Sequence, residues 1–154
     1  MLDYLKIFFM SMIPIVELRG AVLYSQYLEL PVLPSYVICI IGNMIPVPFI
    51  YFFARKLLIW GSGKPIIGRF CDFLHNNGEK AGSKLAERAS RRGMFIALLL
   101  FVGIPLPGTG AWTGTLAASI LDLGIKHTAL AVALGLVLAA TIMMSAGVLG
   151  FNLL

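Results

Sequence analysis

Long apolar stretches make up most of the chain. Val32–Ala54 and Thr128–Phe151 are unbroken, and each is long enough to cross a bilayer, which takes about 20 apolar residues. Tyr4–Leu30 and Met94–Leu123 are interrupted near their middles by proline, glycine and polar residues. Because proline removes a backbone donor and glycine relaxes the chain, we expect each interrupted stretch to form two half-helices of about ten residues around a turn.

The two interrupted stretches share a layout. Ile13-Pro14 begins the first turn and Ile104-Pro105 begins the second, while Leu28-Glu29-Leu30 and Leu121-Asp122-Leu123 close them. An unbroken stretch follows in both cases. The same unit therefore occurs twice, which predicts an internal repeat.

Irregular backbone at membrane depth is tolerated only where protein or a wet cavity surrounds it. Each interrupted stretch is therefore either a re-entrant hairpin or a kinked span that faces the protein interior. Hairpins would enter from opposite sides and make the repeats inverted, whereas full crossings would give four spans and parallel repeats. We favour inverted repeats, because Glu-x-Arg and Pro-x-Pro-Gly turns suit a hairpin tip. Inverted repeats with discontinuous helices are typical of secondary transporters.

The charges are concentrated in one segment. Residues 55–92 hold nine of the 12 basic residues and three of the seven acidic ones, so this segment carries +6 and the rest of the chain −1. A basic block between apolar stretches predicts a cytoplasmic location at the plasma membrane. The N-terminus lacks a basic n-region and a cleavage site, so we expect no removable signal peptide.

These patterns predict an all-α integral membrane protein with a single membrane domain, residues 1–154. Repeat one covers residues 4–54, a cytoplasmic amphipathic helical connector covers 55–92, and repeat two covers 93–151. The composition agrees, because 59% of the residues are hydrophobic and 12% are charged, against roughly 45–50% and 25% in soluble domains. So short a chain cannot bury that much apolar surface in water. This excludes a free cytosolic enzyme, a nucleic-acid-binding domain and a disordered chain.

Glu17 and Arg19 are the charges placed within a predicted membrane segment rather than at its end. A charge at that depth costs about 2.5–3.5 kcal/mol, so it normally faces an interior path and has a partner. In the functional interpretation, Glu17 binds and releases a proton while Arg19 holds an anionic group. Alternatively, the two residues form a structural ion pair at the hairpin tip. Residues two apart do not face each other on a helix, so the pair needs a turn or two different partners.

The second interrupted stretch offers backbone amides and hydroxyls at the start of a half-helix, where anions are attracted. The candidates there are Thr109, Gly110, Trp112 and Thr113. They either contact a substrate or form an ordinary tight turn, with Trp112 packed against the other hairpin. Asn43, which is polar within an apolar span, either lines the path or satisfies carbonyls freed by nearby prolines.

The connector predicts two amphipathic helices. Apolar positions recur at helical spacing in the first: Ile66, Ile67, Phe70, Phe73 and Leu74. Basic positions follow one side of the second: Lys80, Lys84, Arg88 and Arg91. Residues 64–92 would therefore lie on the anionic inner leaflet. The sequence shows no metal site, catalytic triad or phosphate-binding loop, and Cys39 and Cys71 lie in different surroundings. We expect no cofactor and no enzymatic activity.

Three motifs resemble the small multidrug export protein family: Pro14–Ala21, Gly42–Pro48 and Pro105–Gly114. That family is distantly similar to the DedA (VTT-domain) membrane proteins. The resemblance implies two re-entrant hairpins in an inverted repeat and a transport role, with DedA relatives linked to proton-coupled transport and to moving lipids such as polyprenyl phosphates. Glu17 is similar in position to a DedA glutamate, whereas the arginines of the second DedA hairpin have no match here.

The leading hypothesis is a proton-coupled transporter that moves a small or amphipathic substrate past the hairpin tips. Protonation of Glu17 would drive transport, and Arg19 would position an anionic part of the substrate. Two repeats make a thin wall, so we expect a homodimer or a higher homo-oligomer. The alternatives are a lipid scramblase or flippase acting on phospholipid or polyprenyl-phosphate headgroups, and a scaffold that binds partners through the basic helices.

Overall fold

The computed structural model describes residues 2–14, 16–62, 91–106 and 109–151. This part of the chain is helical throughout, with short connections and no strand. Its helices are α1 (Leu2–Met12), α2 (Glu17–Tyr27), α3 (Val32–Met44), α4 (Pro46–Ser62), α5 (Arg91–Gly103), α6 (Ala111–Ile120) and α7 (Ile125–Phe151). The predicted connector helices lie outside the described residues, apart from the residues that begin α5.

Both interrupted stretches form pairs of half-helices, as predicted. The first gives α1 and α2, 11 residues each, on either side of residues 13–16, named tip one below. The second gives α5 and α6, 13 and 10 residues, on either side of residues 104–110, named tip two. Pro14 and Pro105 stand in these breaks, where the missing N–H of proline ends a helical hydrogen-bond ladder.

Two segments are long and apolar enough to cross a membrane, Val32–Ala54 and Ile125–Gly147. The first contains a join between α3 and α4 at Ile45, which keeps helical backbone angles and donates its N–H to Ile41 at 3.3 Å. Pro46 follows and has no N–H to continue the ladder. The helix of the second span begins earlier than predicted, at Ile125 rather than at Thr128.

Much of the outer surface is apolar. Large side chains are exposed on several helices, including Phe9 (60%), Phe49 (71%) and Phe53 (65%). The interior is built of smaller residues: Ala21, Val22, Val102, Ala118, Ala131, Val132, Leu136 and Ala140. An extensive apolar exterior is unfavourable in water, whereas it is the normal surface of a protein that faces lipid.

The two half-helix pairs close with the same turn. The acidic residue in each turn, Glu29 or Asp122, has a φ of 53°. The next leucine donates its N–H to the carbonyl five residues earlier, at 3.0 Å in both turns: Leu30 to Ser25 and Leu123 to Ala118. This is the hydrogen bond of a Schellman helix end, which usually has glycine at the left-handed position. Two identical turns with an acidic residue at that position support the repeat seen in the sequence.

Matching glycines let the long helices approach the first half-helix of their own unit. Gly42 and Gly135 each lie 13 residues after the acidic residue of the preceding turn. A Cβ on Gly42 would meet the Phe8 carbonyl of α1 at 2.6 Å, and a Cβ on Gly135 would meet the Leu99 carbonyl of α5 at 2.8 Å. The α1–α3 contact and the α5–α7 contact are therefore built in the same way.

The second half-helix of each unit packs on the long segment of the other unit, α2 on α7 and α6 on α4. Gln26 of α2 donates to the Met143 carbonyl at 3.5 Å, and Ser119 of α6 donates to the Tyr51 carbonyl at 2.7 Å. Each donor lies three residues before the acidic residue of its turn. This exchange brings the two tips into contact.

Candidate functional site where the two helix breaks meet

Glu17 is the first residue of α2 and lies at the contact between the tips. Its side chain is buried (8% exposed), and its Oε1 accepts the backbone N–H of Trp112 at 3.3 Å. Since Trp112 is in the first turn of α6, the carboxylate lies at the N-termini of two helices, one from each unit. Unpaired N–H groups and the helix dipole favour a negative charge there.

Glu17 also has a φ of 48°, an unusual value for a residue with a side chain. It begins a helix immediately after tip one, with its own N–H donated to the Ile13 carbonyl at 2.8 Å. A non-glycine residue in this conformation indicates a position that the surrounding structure over-determines, which is frequent at functional sites.

Gly110 provides the space for the Glu17 carboxylate. A Cβ at Gly110 would overlap Oε2 and would lie 2.6 Å from Cδ of Glu17. Its φ of 173° is extended backbone, so the glycine is required for space rather than for conformation. The carboxylate thus has the Gly110 backbone on one side and the Trp112 N–H on the other.

Arg19 reaches across to tip two. Its Nη1 donates to the Leu106 carbonyl, and its Nη2 donates to the carbonyl of Thr109 and to the Thr109 hydroxyl, the last at 2.7 Å. The Ile104 carbonyl lies at 3.5 Å from Nη2. Within the described residues Glu17 and Arg19 form no salt bridge with each other, and each finds its partners in the second unit.

Thr109 organises tip two from within. Its hydroxyl lies 2.9 Å from the carbonyls of Ile104 and Leu106, and it accepts the Leu106 N–H at 3.3 Å. Thr113 has a different position, because it is exposed and its hydroxyl reaches only the Gly110 carbonyl of its own helix, at 3.4 Å. The structure therefore places Thr109 at the tip contact and Thr113 away from it.

Trp112 joins the tips a second time. Its indole N–H donates to the Met12 carbonyl at 3.2 Å, and Met12 is the last residue of α1. Because Met12 ends α1, its carbonyl has no backbone N–H from a following helical turn to accept. The indole N–H takes the place of that donor. Trp112 thus contacts both half-helices of the first unit.

Asn43 supports tip one and does not contact the candidate substrate-binding residues of tip two. It is fully buried, and with its amide oriented to satisfy both ends it donates to the Ser11 carbonyl at 3.2 Å and accepts the Leu18 N–H at 2.9 Å. Leu18 directly follows Glu17. This geometry matches the interpretation that Asn43 satisfies backbone groups freed at a helix break, although those groups belong to α1 and α2 on either side of tip one.

The residues that sequence reasoning missed are backbone carbonyls. Met12, Ile104 and Leu106 contribute only their main-chain oxygens. The signal in the sequence was the run of prolines in tip two, which removes the N–H groups that would have paired with earlier carbonyls. Within the described residues no group of three or more His, Cys, Asp or Glu side chains could hold a metal ion.

The described part of the chain holds seven helices, and three of them, α3, α4 and α7, form the two segments of spanning length, which is typical of a helical membrane protein. Residues 17–142 match the model of a family described as "Putative small multi-drug export protein". The match covers more than half of the chain, from α2 into α7, and the protein belongs to this family. The family name indicates export, which is membrane transport. Neither the curated proteins nor the solved structures gave a match.

Proposed function

We propose that the protein is a proton-coupled transporter that moves a small or amphipathic substrate across the plasma membrane between the two tips. The observation that carries this proposal is the position of Glu17, a buried carboxylate at the N-termini of α2 and α6. Carboxylates buried at membrane depth commonly belong to proton relays and ion pathways.

The charge state of Glu17 can control whether the tips stay together. While ionised, the carboxylate is stabilised by the Trp112 N–H and by two helix N-termini. Protonation removes the negative charge and weakens that attraction, so the tips can separate. Separation would expose Glu17 and the facing surface of α6 to water and to substrate, and deprotonation would close the tips again.

The packing of the half-helices supports an inverted arrangement of the repeats. α2 and α6 meet at their N-termini, yet α2 continues between α3 and α7 while α6 packs mainly along α4. Half-helices that start at one point and diverge along different spans fit hairpins that enter from opposite membrane faces. Discontinuous helices whose N-termini meet at a shared site are the usual architecture of inverted-repeat transporters.

The proposal places residues 55–92 in the cytoplasm, where residues 64–92 would lie on the anionic inner leaflet. It also includes assembly into a homodimer or a larger homo-oligomer. Within the described residues of one chain, two segments, α3–α4 and α7, are long and apolar enough to span the membrane beside the tips. A second copy would complete the wall around a path.

Transport into proteoliposomes tests the role of Glu17. Vesicles containing the wild-type protein should accumulate a fluorescent lipophilic cation when a pH gradient is imposed. Glu17→Gln should abolish the accumulation driven by the pH gradient, because a glutamine amide cannot bind and release the proton in place of the carboxylate. Glu29→Gln is the matched control, since Glu29 is exposed in a turn and should leave transport unchanged. Equal transport by Glu17→Gln and wild type would contradict the proposal.

Lipid movement is the second candidate, and an open groove on α4 favours it. The groove, of about 280 Å³, is lined by Pro48, Phe49, Phe52, Phe53 and Lys56. Apolar rings beside a single cation suit an acyl chain with a phosphate headgroup. Flipping of a fluorescent phospholipid in vesicles that continues without a proton gradient would favour this function over the first.

A further inference from the structure

The oxygens that Arg19 binds all belong to tip two, and the loop pairs some of them internally as well: the Leu106 carbonyl also accepts from the N–H and the hydroxyl of Thr109. Leu106 and Thr109 are three residues apart in tip two, and Pro105 of the same tip has no N–H to offer. An arginine offers several donors in a fixed planar arrangement, so one guanidinium can hold several carbonyls at once. The side chain therefore fixes the shape of the loop from the other unit.

The loop that Arg19 fixes leads directly to the groups that surround Glu17. Thr109 precedes Gly110, whose backbone faces the carboxylate, and Trp112 supplies the N–H that the carboxylate accepts. A shift of Thr109 must therefore move Gly110 and change the surroundings of Glu17. Arg19 and Glu17 are also on the same helix, so the clamp and the carboxylate belong to one rigid element.

We propose that Arg19 is the positioning residue of Glu17: it holds tip two so that Gly110 and the Trp112 N–H lie against the carboxylate. This inference rests on the proposed function of Glu17. It assigns Arg19 no contact with the substrate in the closed state, because its Nη atoms are already bound to oxygens of tip two. Arg19 then holds the two units together and is not the group that selects an anionic substrate.

Separation of the two tips has to break the contacts of Arg19 and the contacts of Glu17 together. Among the described residues, the charged group that acts on Glu17 is Arg19 on the same helix. From the other unit, α6 presents a backbone N–H and a tryptophan ring to the carboxylate. Without the clamp, the carboxylate would exchange the Trp112 N–H for water. The closed state would then depend much less on the protonation of Glu17.

Tryptophan fluorescence provides a readout of tip closure that does not need transport. The chain has two tryptophans, Trp60 and Trp112, so Trp60→Phe leaves a single reporter at the tip contact. In this background Arg19→Gln should shift the Trp112 emission to longer wavelength, because the indole loses its packing and gains water. Lys126→Gln, at an exposed cation at the start of α7, should leave the emission unchanged.

Transport provides the second readout. Arg19→Gln should slow transport about 10- to 100-fold, as expected when charged hydrogen bonds are lost, and should move the midpoint of its pH profile by about one unit. Arg19→Lys should restore part of both, because an ammonium keeps the charge but cannot hold the carbonyls in the same planar arrangement. A purely structural loss of folded protein would lower the amplitude without moving the midpoint.

The fluorescence and transport measurements distinguish the positioning role of Arg19 from the proposed transport function of Glu17. Unchanged Trp112 emission and an unchanged pH profile in Arg19→Gln would overturn the positioning role. If Arg19→Gln opens the tips while Glu17→Gln transports normally, the positioning role stands and the proposed function fails. If Arg19→Gln does not fold, Arg19→Lys carries the test in its place: emission and pH midpoint equal to those of the wild type would overturn the proposal, and intermediate values would support it.

Discussion

Gly110 fits against the carboxylate of Glu17 only because it has no side chain. A Cβ at Gly110 would lie 2.6 Å from Cδ and 2.8 Å from Oε1 of Glu17. Glu17 begins α2 and Gly110 directly precedes α6, so their contact joins the two units where both helical stretches are interrupted. A methyl group placed there would act on the carboxylate directly.

Gly110→Ala should therefore destabilise the closed state by about 1–3 kcal/mol, the usual cost of overpacking. The free energy of unfolding, measured by denaturant titration in detergent, checks the size of the effect. The double-mutant cycle with Glu17→Ala isolates the contact, because removing the carboxylate removes the overlap. Additive effects of the two substitutions would show that Gly110 does not pack against Glu17.

Thr109→Val should destabilise the protein by about 1–3 kcal/mol, because it removes a hydroxyl that contacts the charged Arg19 and two carbonyls of tip two. Thr113→Val is the matched control, since that hydroxyl is exposed and lies 3.4 Å from its one carbonyl. Thermal unfolding of the two variants side by side should show a lower midpoint for Thr109→Val. Equal midpoints would mean that the threonine hydroxyl does not organise the tip.

Apolar substitutions at two buried polar side chains should have different effects on the free energy of unfolding. Asn43→Leu should lower the free energy of unfolding by about 1–3 kcal/mol, because the Ser11 carbonyl and the Leu18 N–H lose their partner. Thr115→Val should be neutral or stabilising, because the buried Thr115 hydroxyl has no hydrogen-bond partner among the described residues. Chemical denaturation of both variants checks this, and a large loss for Thr115→Val would indicate a polar partner for that hydroxyl.

The repeat predicts matching effects at Gly42 and Gly135. Alanine at either position would meet a backbone carbonyl, at 2.6 Å from Phe8 and 2.8 Å from Leu99, and backbone cannot move aside cheaply. Each substitution should reduce stability by about 1–3 kcal/mol. Gly93→Ala is the control, because Gly93 is exposed in a helix, where alanine is favoured by about 1 kcal/mol. A loss at only one of the two buried glycines would show that the contacts are not equivalent.

The sequence was sufficient to predict the two helix breaks and the internal repeat. Proline and glycine act locally, so the two interruptions could be placed from the residues alone, and the Leu-acid-Leu turns recur in the structure with the same φ of 53°. The start of α7 was placed late, at Thr128, because Lys126 and His127 are polar. Both are exposed in the first turn of a helix that begins at Ile125.

The partners of the candidate residues could not be predicted. Glu17 and Arg19 were recognised because a charge in an apolar segment is costly, but the contact to tip two spans about 90 residues of chain and follows from packing. Several of the groups involved are backbone carbonyls, which leave no mark in a residue pattern. For Asn43 the sequence left two roles open, lining the path or satisfying carbonyls freed by nearby prolines, whereas it bonds to Ser11 of α1 and Leu18 of α2 on either side of tip one.

Side-specific cysteine labelling tests most directly the central claim that the tips enter from opposite faces and meet around Glu17. Single cysteines at Leu2, Tyr27, Arg92 and Lys126, in a chain without Cys39 and Cys71, would react with a membrane-impermeant maleimide in intact cells or in inverted vesicles. Tyr27 and Arg92 are the controls, external and cytoplasmic in both arrangements. We predict that Leu2→Cys labels from outside with Tyr27, and that Lys126→Cys labels from the cytoplasm with Arg92. Leu2→Cys labelling from the cytoplasm and Lys126→Cys from outside would establish four full spans and contradict the inverted hairpins.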